Sequence, residues 1–262
     1  MKTNWILLTA GFFPQDMVAA AERVENQAKK IYPFIRVIRL SRENVEEYCP
    51  KLTSKYPDKL SITTPGFGYA AWKAEAVYSA LNGDYGPCDG VVWVDAGCEI
   101  NSSSINNLKF KKMLKRTISQ GHLAFALNTP EAMYTKKKVW DLFPGAVGVD
   151  PGIQYQATYF MLYGRKGKNL SESIFLPIYE NFEIVDPTIL DANESEELEL
   201  AKCEQSLLSV AIKSQRWVPA MKVPPAGNRG LKSQLRGIFQ PVWIARNRKG
   251  ESIIPKWIQH IP

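Results

Sequence analysis

Asp95 and Glu99 stand four residues apart in the segment Asp95-Ala96-Gly97-Cys98-Glu99, directly after the apolar run Gly90-Val91-Val92-Trp93-Val94. An acid that follows a buried strand lies at the C-terminal edge of an α/β sheet, where such folds bind ligands. Gly97 lets a ligand approach the backbone closely. Two carboxylates on one tight loop are oxygen ligands for Mg²⁺ or Mn²⁺, ions that accompany diphosphate substrates. Each carboxylate also has a plainer reading, Asp95 as a turn or helix-capping residue and Glu99 as a cap on the Asn101–Ser104 turn. Histidine chemistry is sparse. Of the two histidines, His122 opens a strand and reads as structural, while His260 lies two residues from the chain end. A Ser-His-Asp hydrolase is unsupported, because there is no Gly-x-Ser-x-Gly elbow.

The elements that must position these groups follow from periodicity. Trp5 to Thr9 reads as a first buried strand closed by Ala10-Gly11. Met17, Ala20, Ala21, Val24 and Ala28 recur at helical spacing, and Phe34 to Leu40 makes a second strand. Two strands around an amphipathic helix form a right-handed βαβ unit, with ligand sites at the strand C-termini. Residues 41 to 68 form a polar excursion ending at Gly66-Phe67-Gly68. A helix over Tyr69–Leu81 stops at Asn82-Gly83. Strands are predicted over His122–Leu127 and Tyr155–Tyr163, a helix over Thr135–Phe143, and one long helix over Glu194–Lys213. Beyond Pro219 regular structure becomes doubtful. With no repeat or low-complexity linker, the reading is one catalytic domain over residues 1–220, with a basic extension over 221–262 packed on it.

Gly66-Phe67-Gly68-Tyr69-Ala70-Ala71-Trp72-Lys73, followed by Val92-Trp93-Val94-Asp95-Ala96-Gly97-Cys98-Glu99-Ile100-Asn101, resembles a family of GT-A-fold glycosyltransferases from polysaccharide and O-antigen gene clusters. Tyr134-Thr135-Lys136-Lys137-Lys138, Gln156, Glu204-Gln205-Ser206-Leu207-Leu208-Ser209 and Arg246-Asn247-Arg248 resemble further motifs in the same order, so the likeness touches residues 66 to 248. It implies a mixed, mostly parallel central sheet flanked by helices, and transfer of a glycosyl group from a nucleotide sugar to a glycan or lipid-linked acceptor, with Mn²⁺ or Mg²⁺. Asp95 would contact the donor ribose or the metal-bound diphosphate, whereas Gly97 replaces the second acid of an Asp-x-Asp signature and leaves metal dependence open. Glu99 and His260 complete the implied metal set. Thr9, Ala10 and Gly11 would hold the nucleotide base. Tyr69, Trp72, Lys73 and Gln156 would line the donor pocket, with Lys73 near the phosphates. Glu204, accompanied by Gln205, would face the donor sugar. Arg246 and Arg248 would close over the diphosphate, since a nucleoside-diphosphate leaving group needs its developing charge neutralised. Trp72 reads equally as core, and Glu204 equally as one solvated acid among many.

With 262 residues, 45% hydrophobic and 23% charged, the chain is of globular composition, which excludes disorder and coiled coil. No stretch approaches the roughly 18 apolar residues of a spanning helix. The run Trp5–Phe13 imitates a signal peptide only loosely, with Asp16 and Pro14 against it. Cys49, Cys88, Cys98 and Cys203 form no CxxC pair and read as reduced cytosolic thiols. The net charge is +7, and Arg229 to Lys256 holds seven Lys or Arg against the single Glu251. With Trp243 and Trp257, that tail suits phosphate, nucleic acid or an anionic membrane surface. The blocks Lys109–Arg116 and Lys136–Lys138 read as solvated faces. A cytoplasmic enzyme, with peripheral association at the inner face of the membrane and no specific nucleic acid partner, is the resulting expectation. The alternatives are a nucleic-acid-binding protein using the tail, or a nucleotidyltransferase of related fold.

Overall fold

Trp5–Ala10 is buried at every position and forms β1, as expected of a strand covered on both faces. The computed structural model describes residues 3–31, 35–148, 152–190, 193–201, 203–216, 221–222, 241–243 and 247–252. β1 leads through α1 (Gln15–Ile31) to β2 (Ile35–Leu40), which pairs with it in parallel from Trp5 opposite Ile35 to Ala10 opposite Leu40. The βαβ unit is therefore present. Short helices α2 (Val45–Tyr48), α3 (Pro50–Lys55) and α4 (Gly66–Tyr69) precede α5 (Ala71–Asn82) and β3 (Gly90–Val94), which lies parallel to β1 on its other side. β4 (Glu99–Ile100) and α6 (Ser104–Gln120) follow, then β5 (His122–Pro130), α7 (Lys137–Leu142), β6 (Ile153–Tyr163), α8 (Gly164–Glu180), α9 (Cys203–Ser214), β7 (Met221–Lys222) and β8 (Val242–Trp243).

The main sheet has the order β2-β1-β3-β6-β5-β7, and β6 alone runs antiparallel to its neighbours. This is the mixed, mostly parallel sheet expected. Alternation along its strands divides the core. Ile6, Leu8, Val91 and Trp93 face the layer that holds α5, α8 and α9, while Trp5, Leu7, Val92 and Val94 face α1 and α6. A two-stranded ribbon pairs β4 with β8, Glu99 opposite Trp243, and brings residues 241–243 beside the Asp95 turn.

Several elements differ from their expected form. Of the helix predicted over Glu194–Lys213, only the part from Cys203 onward is helical among the described residues, and it runs on to Ser214. Glu194, Glu196, Glu197 and Glu199 crowd like charge into the segment before it. Leu200 is 54% exposed, and Glu194 accepts the Lys137 amide at 2.7 Å, so that stretch buries no apolar face. α7 begins at Lys137 because Thr135 is tied to Glu131 at 2.6 Å. Lys136 is no solvated residue. It is buried and donates to the carbonyls of Glu183, Asp186 and Ile189. α6 and α8 had no counterpart in the sequence reading, and the paired strands β7 and β8 lie beyond Pro219. Cys49, Cys88 and Cys98 are free thiols. No helix among the described residues is long and apolar enough to cross a membrane.

Candidate active site

A cleft of about 700 Å³ opens at the C-terminal edge of the sheet, where β1 and β3 end. One wall is the loop after β1. There Gly11 is required, since a Cβ would stand 2.3 Å from the Met17 carbonyl oxygen. Phe12 stacks on Phe67 at 4.5 Å between ring centroids and meets Trp72 at 4.7 Å. The opposing turn is unusual: Gly66, Phe67, Gly68, Tyr69 and Ala70 all have φ between 52° and 88°. Left-handed backbone costs an L-residue about 1–2 kcal/mol, and the pattern Gly-Phe-Gly leaves only part of that cost to side-chain-bearing residues. The Trp72 indole donates to the Gly66 carbonyl at 3.0 Å and fastens this turn to the start of α5.

Lys73 stands at the centre. Its ammonium donates to Glu204 at 2.7 Å, to Asp95 at 3.1 Å and to the Ala157 carbonyl at 3.2 Å, and it lies 5.0 Å from the Trp93 ring centroid. Three donors meet three acceptors, so Lys73 has none left for phosphate. The expectation that it binds the phosphates is replaced by a role in holding two carboxylates together. Burial opposes its charge, but Asp95 and Glu204 outweigh burial and raise its pKa above the usual lysine value. Burial likewise pushes the Glu204 carboxyl up, against the pull of Lys73. Asp95 also accepts the Trp93 indole N–H at 2.6 Å and keeps 35% of its side chain exposed to the cleft. With both carboxylates ionised, the cluster carries one net negative charge.

Its anchor is a bulge in β6. Register jumps between Leu123 opposite Met161 and Phe125 opposite Gln156, so β6 holds extra residues around Ala157 and Thr158. A bulge frees backbone groups and re-aims side chains. Here the Ala157 carbonyl takes Lys73, the Thr158 carbonyl takes the Asp95 amide at 2.9 Å, and the Ala157 amide donates to Gln205 Oε1 at 3.2 Å. Gln205 Nε2 then donates to Gln154 Oε1 at 2.6 Å. α9 is clamped to β6 further along by Ser209, which accepts the Tyr155 amide at 2.8 Å and donates to Glu131, itself paired with Lys213 at 2.6 Å.

Arg23, which the sequence reading passed over, ties the Asp95 turn to the C-terminal segment. Its guanidinium donates to the carbonyls of Ala96 and Cys98 on one side and of Asn247 and Lys249 on the other, at 2.8–3.0 Å. It also pairs with Glu99 at 2.7 Å. Between the last two carbonyls Arg248 reaches the cleft rim. Glu99 is fully buried and takes further donors from Gln27, Asn247 and Ser252. It does not line the cleft, and its carboxylate is committed to anchoring the tail instead of a metal.

The structure thus brings Ala10, Gly11, Trp72, Lys73, Asp95, Gln156, Glu204, Gln205 and Arg248 to one cleft. Thr9 lies beneath it, fully buried. Tyr69 turns away, its hydroxyl bonded to Asp186. Arg246 and His260 lie outside the described residues. Among those described, no three His, Cys, Asp or Glu side chains gather as a metal site. Asp95 offers one oxygen beyond the one shared by Lys73 and Trp93, Gly97 offers no ligand, and Glu99 is spent. Among the described residues these donors do not make up a standing divalent-metal centre.

No protein-family profile matches the chain, and no curated protein matches it in sequence. Solved structures similar to the chain include those of glycosyltransferases. Mouse xyloside xylosyltransferase 1 shares 8% identity over 93% of this chain and 96% of its own, with a TM-score of 0.42. The glycosyltransferase GlyE of Streptococcus pneumoniae shares 11% over 85% of this chain and 45% of its own, at 0.38. The galactosyltransferase LgtC, solved with donor and acceptor sugar analogues, shares 12% over 78% and 69%, at 0.37. At such identities and scores no residue role passes from them to this chain.

Proposed function

We propose that the chain is a glycosyltransferase that moves a sugar from a nucleotide-sugar donor to a glycan or lipid-linked acceptor. One observation carries the reading: two carboxylates, Asp95 and Glu204, share the buried Lys73 ammonium on the wall of a cleft at the sheet's C-terminal edge. A net negative centre, fixed before substrate arrives, stabilises the positive charge that develops at an anomeric carbon as its leaving group departs. It would repel an anion placed directly on it. The diphosphate therefore lies toward the Gly11–Phe13 loop and Arg248, and the base packs on the aromatic wall formed by Phe12, Phe67 and Trp72. Arg246 is proposed as a second cation over the phosphates. Glu204 faces the sugar, held in place by Lys73, with Gln205 beside it on the first turn of α9. Asp95 takes a ribose or sugar hydroxyl on its exposed oxygen. The resemblance to polysaccharide-cluster enzymes and the basic tail support a cytoplasmic role in surface polysaccharide assembly, at the inner leaflet.

Thermal-shift titration against UDP-, GDP-, CMP- and dTDP-sugars, each with and without Mn²⁺, tests the reading. A bound donor at a hundred times its Kd stabilises the fold by about 2.7 kcal/mol. A flat response to the whole panel contradicts it.

A further inference from the structure

The cleft has two unlike ends, and only one is spoken for by a nucleotide. Away from the aromatic wall it is lined by Leu127 and Thr129 of β5, Gln154 and Gln156 of β6, and Tyr134. Gln154 is engaged at both ends of its amide: Nε2 donates to Ser206 at 3.3 Å and Oε1 accepts from Gln205. Gln156 is not. Only 2% of the residue is exposed, yet its Nε2 has no hydrogen-bond partner among the described residues. Thr129 Oγ1, on the same wall, is also buried without one. A buried unpaired donor costs a folded protein stability, so two of them lining one cavity mark groups kept for something that enters it.

Chemistry narrows what enters. An anion would meet the Glu204 carboxylate with no cation among these five residues to balance it. An apolar group would leave both polar atoms unpaired. A neutral ligand with adjacent hydroxyls, each able to donate and accept, satisfies them. We propose that Gln156 and Thr129 form a subsite for the hydroxyl groups of a sugar ring, a step that rests on the glycosyltransferase reading above. Two sources offer that chemistry, the transferred sugar of the donor and the sugar of the acceptor.

Calorimetry and saturation-transfer NMR on the full chain decide it. Wild type, Gln156→Met and Thr129→Val are titrated with UDP and GDP, with the matching nucleotide sugars, and with methyl glycosides of glucose, galactose, mannose and N-acetylglucosamine. Both variants are expected to melt no lower than wild type, since each removes an unsatisfied buried group, and to bind UDP or GDP unchanged. Sugar-containing ligands should bind about three- to tenfold more weakly, the loss of one neutral hydrogen bond. A loss seen with the nucleotide sugar and not the glycoside assigns the subsite to the donor, and the reverse assigns it to the acceptor. Unchanged binding of every sugar-containing ligand overturns the proposal, leaving a subsite that holds water only. Glycoside binding that depends on Gln156 without any nucleotide binding upholds the subsite and removes the nucleotide-sugar reading. Binding of no ligand by wild type overturns both.

Discussion

Arg23→Met tests how the Asp95 turn and the C-terminal segment are joined. The substitution keeps the aliphatic stem and removes a guanidinium whose side chain is 4% exposed. Four carbonyls, on Ala96, Cys98, Asn247 and Lys249, lose their donor, and Glu99 keeps its buried charge with Gln27, Asn247 and Ser252 still donating. Breaking a buried ion pair from one side costs about 3–5 kcal/mol. At about 2–4 °C per kcal/mol for a chain of this size, Tm should fall by roughly 6–20 °C. Urea unfolding monitored by tryptophan fluorescence gives the free energy directly. Adding Glu99→Leu to Arg23→Met should recover part of the loss, because the uncompensated charge is gone while three donors remain without an acceptor. The same anchor carries Arg248, so Arg23→Met should weaken nucleoside-diphosphate binding as Arg248→Ala does and add little to it in the double variant. A stability loss under about 1 kcal/mol, or additive effects on binding, would refute the reasoning.

Lys73→Met leaves Asp95 and Glu204 facing each other without a counter-cation. Turnover should fall about 10²–10³-fold, the scale of removing a preorganised charge, and the acid limb of the pH–rate profile should move to higher pH, because Glu204, already pushed up by burial, loses the ammonium that pulled it down; an unmoved limb would speak against the pairing. His122 is buried, and burial first of all lowers its pKa to about 4 from an unfolded value near 6.5. The unfolded chain therefore binds the extra proton between those values. Stability contributed by the neutral ring, roughly 3 kcal/mol, is complete above about pH 6.5 and is lost as pH falls toward 4. His122→Gln should flatten that slope in urea titrations at several pH values, and parallel curves for the two proteins would exclude it. Ala70 has a left-handed backbone, φ 61°. Ala70→Gly should raise stability by about 1 kcal/mol in calorimetry, and a clear loss would show that the methyl group's packing outweighs the strain.

Much of the frame could be read from residue order. The unbroken apolar runs of β1 and β3 announce strands covered on both faces, and the acid after Val94 lies at the cleft because a parallel sheet puts its strand ends there. Lys73, Glu204 and Gln205 were reachable through the motif resemblance, though their mutual contacts were not. The β6 bulge is invisible in Gln154 to Phe160 because it is defined by the partner strand's register. Arg23 looks like one polar residue in the helical pattern Met17–Ala28, and only the fold brings the carbonyls of the Asp95 turn and of the C-terminal segment around it. α8 opens on Gly164-Arg165-Lys166-Gly167-Lys168 and contains Pro177, a poor helical composition, yet Leu170, Ile174 and Ile178 recur every four residues and face the core. That spacing was a usable signal, as was the inward row Phe110, Met113, Leu114 and Thr117 of α6, obscured by its five cationic residues. Glu99 misled because a carboxylate near a ligand-binding turn looks available until its partners fold around it.

Release of nucleotide from nucleotide sugars, followed by chromatography in the presence of candidate saccharide acceptors for wild type, Asp95→Asn and Glu204→Gln, tests the central claim most directly. The account predicts release of a free nucleoside mono- or diphosphate by wild type with at least one donor, no pyrophosphate, and a loss of at least about a hundredfold in each variant while both stay folded. Wild type that releases nothing from the full donor set, or variants that turn over as wild type does, would contradict it.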